Sequence, residues 1–233
     1  MKRSLLALAL LWAGTQATAQ TIVQEFTAIS AASASVSDMD LTQPTVEGDT
    51  LIAIPEQLSP GVKVSSVTDN APDGGNTYKE AAGAASTCAK RSLSIWYCEH
   101  CKGGVTELKF HLSGRPAGSL NSFLEVSDLA SSSVIDSTAQ VSEQADNKDG
   151  RQAGPRIVTT AEDFVVARFP VASQAKGVTP ELWTAQPAYV YARNLPAGTY
   201  QPTLTGVEPT GSFCMSMAAF KKAAPPPTPP QSH

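Results

Sequence analysis

The sequence has few charged and few aromatic residues, which make up 16% and 6% of its 233 residues. Small and turn-forming residues are common instead, including 16 Gly and 17 Pro. This balance favours many short strands joined by polar turns over amphipathic helices. Acidic residues outnumber basic ones, 21 to 17. A mildly acidic chain lacks the positive surface that binds nucleic acid or anionic lipid.

Long hydrophobic runs are also missing, apart from one near the N-terminus. Residues 5–13 are apolar, follow two basic residues, and precede a small-x-small site that ends at Ala19. This pattern is typical of a secretory signal peptide over residues 1–19, and the run is too short to cross about 30 Å of hydrocarbon. We therefore expect export through a Sec-type signal to the periplasm, the cell surface or the medium, with no membrane span in the mature chain.

Motifs that mark catalysis or cofactor binding are absent as well. The sequence has no G-x-S-x-G elbow, and only His100 and His111 among its three histidines lie outside the C-terminal tail. A serine hydrolase would therefore have little choice of base. The acidic residues, for example Glu125, Asp136 and Asp163, show no spacing that separates catalytic carboxylates from solvated loops. We expect a protein that is not an enzyme and binds no cofactor.

What the sequence does contain is a series of short segments in which apolar and polar residues alternate. The clearest lies at residues 93–112, where Leu108, Phe110 and Leu112 alternate with polar residues after a glycine-rich turn. We interpret it as a β-hairpin. About ten such strands without a helix predict an all-β protein, an antiparallel β-sandwich of jelly-roll or immunoglobulin-like type. No internal repeat is apparent.

The chain divides into three parts after the signal peptide. Residues 20–44 are expected to hold an N-terminal strand, at 21–26, and a linker or exposed edge. Residues 45–222 are expected to form one β-sandwich domain. Residues 223–233 are rich in proline, which has no N–H to donate to a helix or a ladder, so we predict a disordered tail.

The four cysteines predict cross-links. Cys88, Cys98, Cys101 and Cys214 are an even number in a chain expected to be exported, which is the usual setting for disulfides. Three pairings are possible. We favour Cys98 with Cys101, which closes a small ring in the turn, and Cys88 with Cys214, which ties the first arm of the hairpin to the last strand.

The C-x-x-C turn permits two other interpretations. A redox motif normally sits at a helix N-terminus, where the dipole lowers the thiol pKa, and here it lies between predicted strands. A zinc site needs about four ligands, which Cys98, His100, Cys101 and His111 would supply if they met across the hairpin. Both remain alternatives to a structural bridge.

The aromatic residues offer a candidate binding site. Trp96 lies on the strand face opposite Leu93 and Ile95, and Trp183, Tyr189 and Tyr191 are close together in sequence. An exposed aromatic row on a sandwich is a common way to stack sugars, which suggests a carbohydrate-binding module. Alternatively, both faces of these strands are buried and the aromatic rings belong to the core.

The order of several short segments resembles a β-sandwich domain of many secreted bacterial proteins and some phage structural proteins. These segments are residues 48–51 (GDTL), 66–69 (SVTD) with 75–78 (GNTY), 95–97 (IWY) with 103–104 (GG), 124–129 (LEVSDL) with Asp136, 159–167 (TTAEDFVVA), 197–200 (AGTY) and 218–221 (AAFK). The likeness extends over residues 45–222. It implies a β-sandwich without a recognised active site, found on cell surfaces, in secreted multidomain chains or in phage particles. The four cysteines depart from the usual pattern.

Taken together, the sequence predicts an exported, non-catalytic β-sandwich protein with a surface-structural, adhesion or assembly role. The expected partner is a cell-surface component, a polysaccharide or another exported protein, and not a nucleic acid. Sugar binding through the aromatic residues and a redox or metal site at the C-x-x-C turn are the alternatives.

Overall fold

A computed structural model describes residues 19–30, 34–81, 85–88, 90–144, 149–170, 175–207 and 212–224. The predicted signal peptide and most of the predicted proline-rich tail lie outside these residues. The regular structure of the described residues is entirely β, with all strand pairs antiparallel. Within the described part of the chain, no helix is long and apolar enough to cross a membrane.

Among the described residues, ten strands form the N-terminal half, which ends at residue 127. They are β1 (Thr21–Ser30), β2 (Val36–Asp40), β3 (Thr50–Gln57), β4 (Val64–Asp69), β5 (Lys79–Glu80), β6 (Ser86–Cys88), β7 (Arg91–Leu93), β8 (Trp96–Cys98), β9 (Glu107–Leu112) and β10 (Ser119–Ser127). The predicted linker within 20–44 thus contains β2, whose Ser37 and Met39 point inward between exposed neighbours. A single apolar residue facing the core is too weak a pattern to predict such a strand.

In the part of the C-terminal half that the structure describes, from residue 135 onward, there are ten further strands. They are β11 (Ile135–Gln144), β12 (Arg151–Ala153), β13 (Ile157–Thr159), β14 (Asp163–Arg168), β15 (Gly177–Thr179), β16 (Thr184–Ala185), β17 (Tyr189–Leu195), β18 (Gly198–Tyr200), β19 (Thr203–Thr205) and β20 (Phe213–Lys221).

The sheets stack in four layers with three apolar cores between them. The first layer is β2-β9-β4, the second contains β1-β10-β3 with β5 to β8, the third is β11-β20-β14-β17-β16, and the fourth consists of β12-β19-β15 and β13-β18. Strands of the two inner layers, such as β3 and β14, are buried on both faces. Outer strands such as β9 alternate between buried and partly exposed residues. Nearly continuous apolar runs therefore mark the inner layers, and alternation marks the outer ones.

The two halves repeat one topology. Each unit has two facing sheets. In the N-terminal unit they are β1-β10-β3-β8 and β2-β9-β4, and in the C-terminal unit they are β11-β20-β14-β17 and β12-β19-β15. Of these seven strands in each unit, any two that follow each other along the chain lie in opposite sheets. In an immunoglobulin fold, chain neighbours such as strands A and B pair within one sheet. The predicted antiparallel β-sandwich is therefore confirmed, and its strand order is of the jelly-roll type.

The strand registers match between the units. Leu51 of β3 pairs with Cys98 and Glu125, and its counterpart Val165 of β14 pairs with Ala192 and Ala219. Each edge strand carries a bulge at the same place, between Ile22 and Gln24 in β1 and between Ile135 and Ser137 in β11. The chain therefore contains an internal structural repeat that its sequence does not reveal.

The predicted hairpin at residues 93–112 is wrong. Strand β8 pairs with β3 and β5 in the second layer, whereas β9 lies between β2 and β4 in the first layer. The intervening turn crosses the edge of the sandwich. Alternation and glycines predict two strands and a reversal of direction, but they do not determine which strands become partners.

Three kinds of interaction hold the two units together. Apolar side chains of the second and third layers form the central core. The Cys88–Cys214 disulfide joins β6 to β20. The fully buried Arg168 of β14 donates to Glu56 of β3 at 2.8 Å and to the Ser122 hydroxyl at 3.0 Å. A buried ion pair of this kind fixes the relative position of the sheets, because removing one partner leaves the other unpaired.

Candidate functional site

The cysteines form the two disulfides Cys88–Cys214 and Cys98–Cys101, the pairing favoured by the sequence, and all four side chains are buried. Disulfides are compatible with an oxidising, exported environment. The C-x-x-C turn lies between strands, so no helix dipole acts on its sulfur atoms.

The predicted metal alternative at this turn is wrong, because Cys98 and Cys101 are bonded to each other and supply no thiolate ligand. His111 instead shares a hydrogen bond of 2.9 Å with the Thr68 hydroxyl. In the part of the chain that the structure describes, no group of three His, Cys, Asp or Glu residues is arranged to hold a metal ion.

The turn has a structural role. Its backbone bonds to the loop before β3, with Cys101 N donating to Asp49 O at 2.9 Å and Gly104 N donating to Thr45 O at 2.8 Å. A Cβ at Gly103 would lie 2.6 Å from the backbone nitrogen of Glu47, so only glycine allows this close approach. The glycine pair and the preceding loop are thus parts of one packed corner.

The predicted aromatic row does not form an exposed platform. Trp96 is 7% exposed in the first core, Trp183 is 4% exposed in the third core, and Tyr189 is buried, while Tyr191 is half-buried. Sugar stacking requires an accessible ring face, so the interpretation of these four residues as a stacking surface is wrong. The reason is the four-layer architecture, which covers both faces of β8 and most of β17.

Two pairs of carboxyl groups each join a buried member, Asp163 or Glu125, to a partly exposed one, Asp136 or Asp49. Burial raises the pKa of Asp163 to about 8, reinforced by a hydrogen bond to Asp136 and by its charge. Burial likewise raises the pKa of Asp49 to about 6, with contributions from the charge of Glu125 and a hydrogen bond to it. Asp163 is inaccessible to solvent. These groups can store protons inside the fold, but Asp163 has no access to a substrate.

A polar pocket of about 230 Å³ opens beside β6 and β7, between the two units. Its hydroxyls are already engaged within the protein: Ser86 bonds to Ser216 at 2.7 Å, Ser92 donates to the carbonyl of Val62, and the Ser142 hydroxyl accepts from Thr87 N at 3.1 Å. A ligand there would have to compete with these bonds, so the pocket is the weaker candidate.

The stronger candidate is the edge strand β1. Its only ladder is with β10, and among the described residues no other hydrogen bond reaches its backbone. Over ten residues it carries one charge, Glu25, and it exposes Val23 at 36% and Ile29 at 79%. Natural edge strands are usually short, charged, bulged or covered, because free N–H and C=O groups recruit other strands. β1 has one bulge, between Ile22 and Gln24, and its ladder with β10 is regular from Gln24 to Ser30.

A cleft of about 380 Å³ lies beside this edge and is lined by both units. The N-terminal part of β1 forms one wall, and the half-buried ring of Tyr191 and the exposed Arg193 form the other. Glu25 is held at its mouth by Tyr189, whose hydroxyl donates at 2.9 Å, and by Gln186 at 3.1 Å. The sequence predicted a strand and an exposed edge here but did not identify them as a binding site. The feature that could have identified the site is the single charged residue in a long run of β-forming residues.

Comparison with models of known protein families and with curated proteins gives no match. The resemblance to the secreted bacterial and phage domain therefore stays a prediction that rests on its short segments, and the site is interpreted from its own geometry.

Proposed function

We propose that the protein is an exported, non-catalytic assembly module that binds an extended segment of a polypeptide along β1. The observation that carries the proposal is the outer backbone edge of β1, to which no described residue bonds outside the ladder with β10, beside a cleft that offers an aromatic ring and a cation. In strand addition, main-chain hydrogen bonds supply affinity and neighbouring side-chain sites supply specificity. The edge of β1 and the cleft provide both.

The stiffness of the double sandwich supports this role. Two units joined by an apolar core, a disulfide and a buried ion pair keep β1 and the wall of Tyr191 and Arg193 in a fixed relation. A preformed edge loses little conformational freedom on binding, which leaves more of the interaction energy for affinity.

The test is site-specific photo-crosslinking of the mature chain. A benzophenone amino acid is placed at Val23, on the edge, and in a second protein at Val158, an exposed valine of β13 with 52% accessibility. Each protein is irradiated in the exported fraction of the cells that make it. We expect a discrete polypeptide adduct from position 23 and none of the same mass from position 158.

Adding Ile29→Lys to the position-23 protein provides the matched specificity control. A lysine on an edge strand opposes strand pairing, and Ile29 is exposed enough for the fold to tolerate the change. The adduct should decrease strongly. The same adduct from both positions, or none from position 23, would rule out the proposed role of β1.

A further inference from the structure

We infer that the polypeptide segment which binds along β1 carries an apolar residue and, two residues further toward its C-terminus, an aspartate or a glutamate. This inference rests on the proposed function and names the chemistry of its ligand. It comes from the side chains that an added strand would meet in the third layer, below the outer edge of β1.

On the side of β1, the third layer extends one strand further than the second. Contacts between the layers show how the strands stack. Tyr189 of β17 donates to Glu25 of β1, and the next strands inward are joined by Arg168 of β14 and Ser122 of β10. Among the described residues, the second layer ends at β1, whereas the third continues past β17 with β16. Because paired strands lie about 4.8 Å apart, a strand added to β1 would lie over β16 and the adjoining side of β17.

The third layer offers this added strand an aromatic ring and a cation. Tyr189 and Tyr191 pack in the central core between the two layers, whereas the intervening Val190 belongs to the third core. Thr184 of β16 pairs directly with Tyr191 and is exposed. Arg193 lines the cleft together with Tyr191. An apolar side chain of the ligand would therefore rest on the ring of Tyr191, with a guanidinium nearby.

The charges along this path have a fixed order. Glu25 lies at the level of Tyr189, whose hydroxyl it accepts at 2.9 Å. Arg193 lies further toward the start of β1, where the neighbouring Asn194 N donates to Gln20 at 2.8 Å. The Arg193 side chain is exposed, and no described residue forms an ion pair with it. A carboxylate of the ligand is therefore favoured beside Arg193 and disfavoured beside Glu25.

The direction of the ligand sets the order of its residues. All strand pairs of the described residues are antiparallel, and an added strand continues that pattern. Such a segment passes Glu25 first, then Tyr191, and reaches Arg193 nearest its C-terminus. Residues on one face of a strand recur every two positions, which is the sequence separation of Tyr191 from Arg193. The acidic residue therefore follows the apolar one by two.

The bulge in β1 is compatible with this arrangement. The ladder is regular from Gln24 to Ser30, so that stretch offers a regular backbone edge for main-chain pairing. The acidic residue of the ligand is needed only at the cleft, which begins at Ile22. It is held there by Arg193 and does not depend on a regular ladder through Val23.

The experiment identifies the ligand from the adduct that the position-23 protein forms. The adduct is digested, and mass spectrometry determines the sequence of the crosslinked segment. We expect an apolar residue followed two residues later by aspartate or glutamate. Arg193→Glu in the position-23 protein should lower the adduct yield about tenfold, because it replaces an attraction by a repulsion. Arg193→Lys keeps the positive charge and should retain at least about half of the yield.

A charge exchange makes the test specific. Changing the identified acidic residue of the ligand to lysine should restore most of the adduct with Arg193→Glu, although it weakens binding to the unchanged protein. Arg156→Glu is the matched control, since it makes the same charge change at an exposed arginine between β12 and β13, and should leave the yield unchanged. Intrinsic fluorescence of Trp96 and Trp183 confirms that every variant is folded.

The outcomes separate this inference from the proposed function. An adduct whose segment lacks the apolar and acidic pair, or whose yield is insensitive to Arg193→Glu, would overturn the inference and leave the proposed function standing. The absence of any adduct from position 23 would overturn the proposed function, and the inference with it.

Discussion

The strands β1 and β11 occupy equivalent positions in the two units, but their surroundings differ. β6 and β13 lie close to β11, and side chains of β11 bond to the chain beside them, with Thr160 N donating to the Asp136 carboxylate at 2.7 Å and Thr87 N donating to the Ser142 hydroxyl at 3.1 Å. Among the described residues, no strand other than β10 makes a comparable contact with β1. The same topology can thus end in a protected edge or an open one, depending on what surrounds it.

The turn after β8 and the last residues of β17 give a second comparison. His100 and Asn194 stand at the same place and both adopt the left-handed conformation, with φ of 49° and 52°. The first turn is bridged by Cys98–Cys101, whereas the second carries Ala192 and Leu195 at those positions. The topology therefore forms with or without the bridge, so the short disulfide adds stability without determining the path of the chain.

The largest expected loss of stability comes from removing the disulfide between the two units with Cys88→Ala/Cys214→Ala. This bridge spans 126 residues of sequence. Its removal frees a very long loop in the unfolded chain, and the chain-entropy relation gives a loss of about 5 kcal/mol in the free energy of unfolding. Guanidinium unfolding followed by fluorescence measures it. In a protein that begins at Gln20, Trp96 reports on the N-terminal unit and Trp183 on the C-terminal unit, each isolated by Trp→Phe at the other.

The same two probes show whether the repeat is one cooperative structure. With the bridge intact we expect coincident transitions, because the apolar core and the Arg168–Glu56 pair also join the units. Without it, we expect the two transitions to separate. A stability loss below about 1 kcal/mol would contradict the role assigned to the bridge.

The repeat also shows which features the sequence could predict. Short alternating segments and polar turns indicated an all-β sandwich, and the cysteines indicated the disulfides. Equivalent positions such as Cys98 and Ala192, or Glu125 and Ala219, share a place in the ladder but little chemical identity. The two units share strand register, bulge positions and turn conformation, but they do not share residue types, so the sequence shows no repeated pattern.

The candidate site was harder to predict for a related reason. Alternation shows that Trp96 is opposite Leu93 on its strand, but only the stacking of four layers determines that both faces are covered. Likewise, the composition of β1 predicts a strand, whereas its open edge depends on how distant elements pack around it. Burial by a second sheet and exposure of an edge are both tertiary properties.

A smaller effect is expected from Cys98→Ala/Cys101→Ala, which removes the bridge that the C-terminal unit lacks. The closed loop is short, so the same relation gives a loss of about 2 kcal/mol. The loss should appear in the transition reported by Trp96 before that reported by Trp183. Equal losses from the short and the long bridge would show that loop length does not govern their contributions. Denaturant midpoints of the two double variants, measured side by side, decide this.

The last comparison is a pH dependence that distinguishes two equivalent aspartates, Asp49 before β3 and Asp163 at the start of β14. Both have folded-state pKa values above the ordinary 3.8, at about 6 and about 8. A carboxyl group with a raised pKa binds its proton more tightly in the folded state. Its stabilising contribution is therefore complete below about pH 4 and is lost as the pH rises through the folded-state pKa.

The two aspartates should thus act over different pH ranges. Each proton gives a slope of at most about 1.4 kcal/mol per pH unit, with stability falling as the pH rises. Between pH 6 and 8 only Asp163 contributes, so Asp163→Asn should flatten the stability profile there, whereas Asp49→Asn should change it only below pH 6. Urea midpoints from pH 4 to 9 measure both profiles. Because asparagine keeps the size and the donor of the protonated group, a slope between pH 6 and 8 that survives Asp163→Asn would assign that proton to another residue.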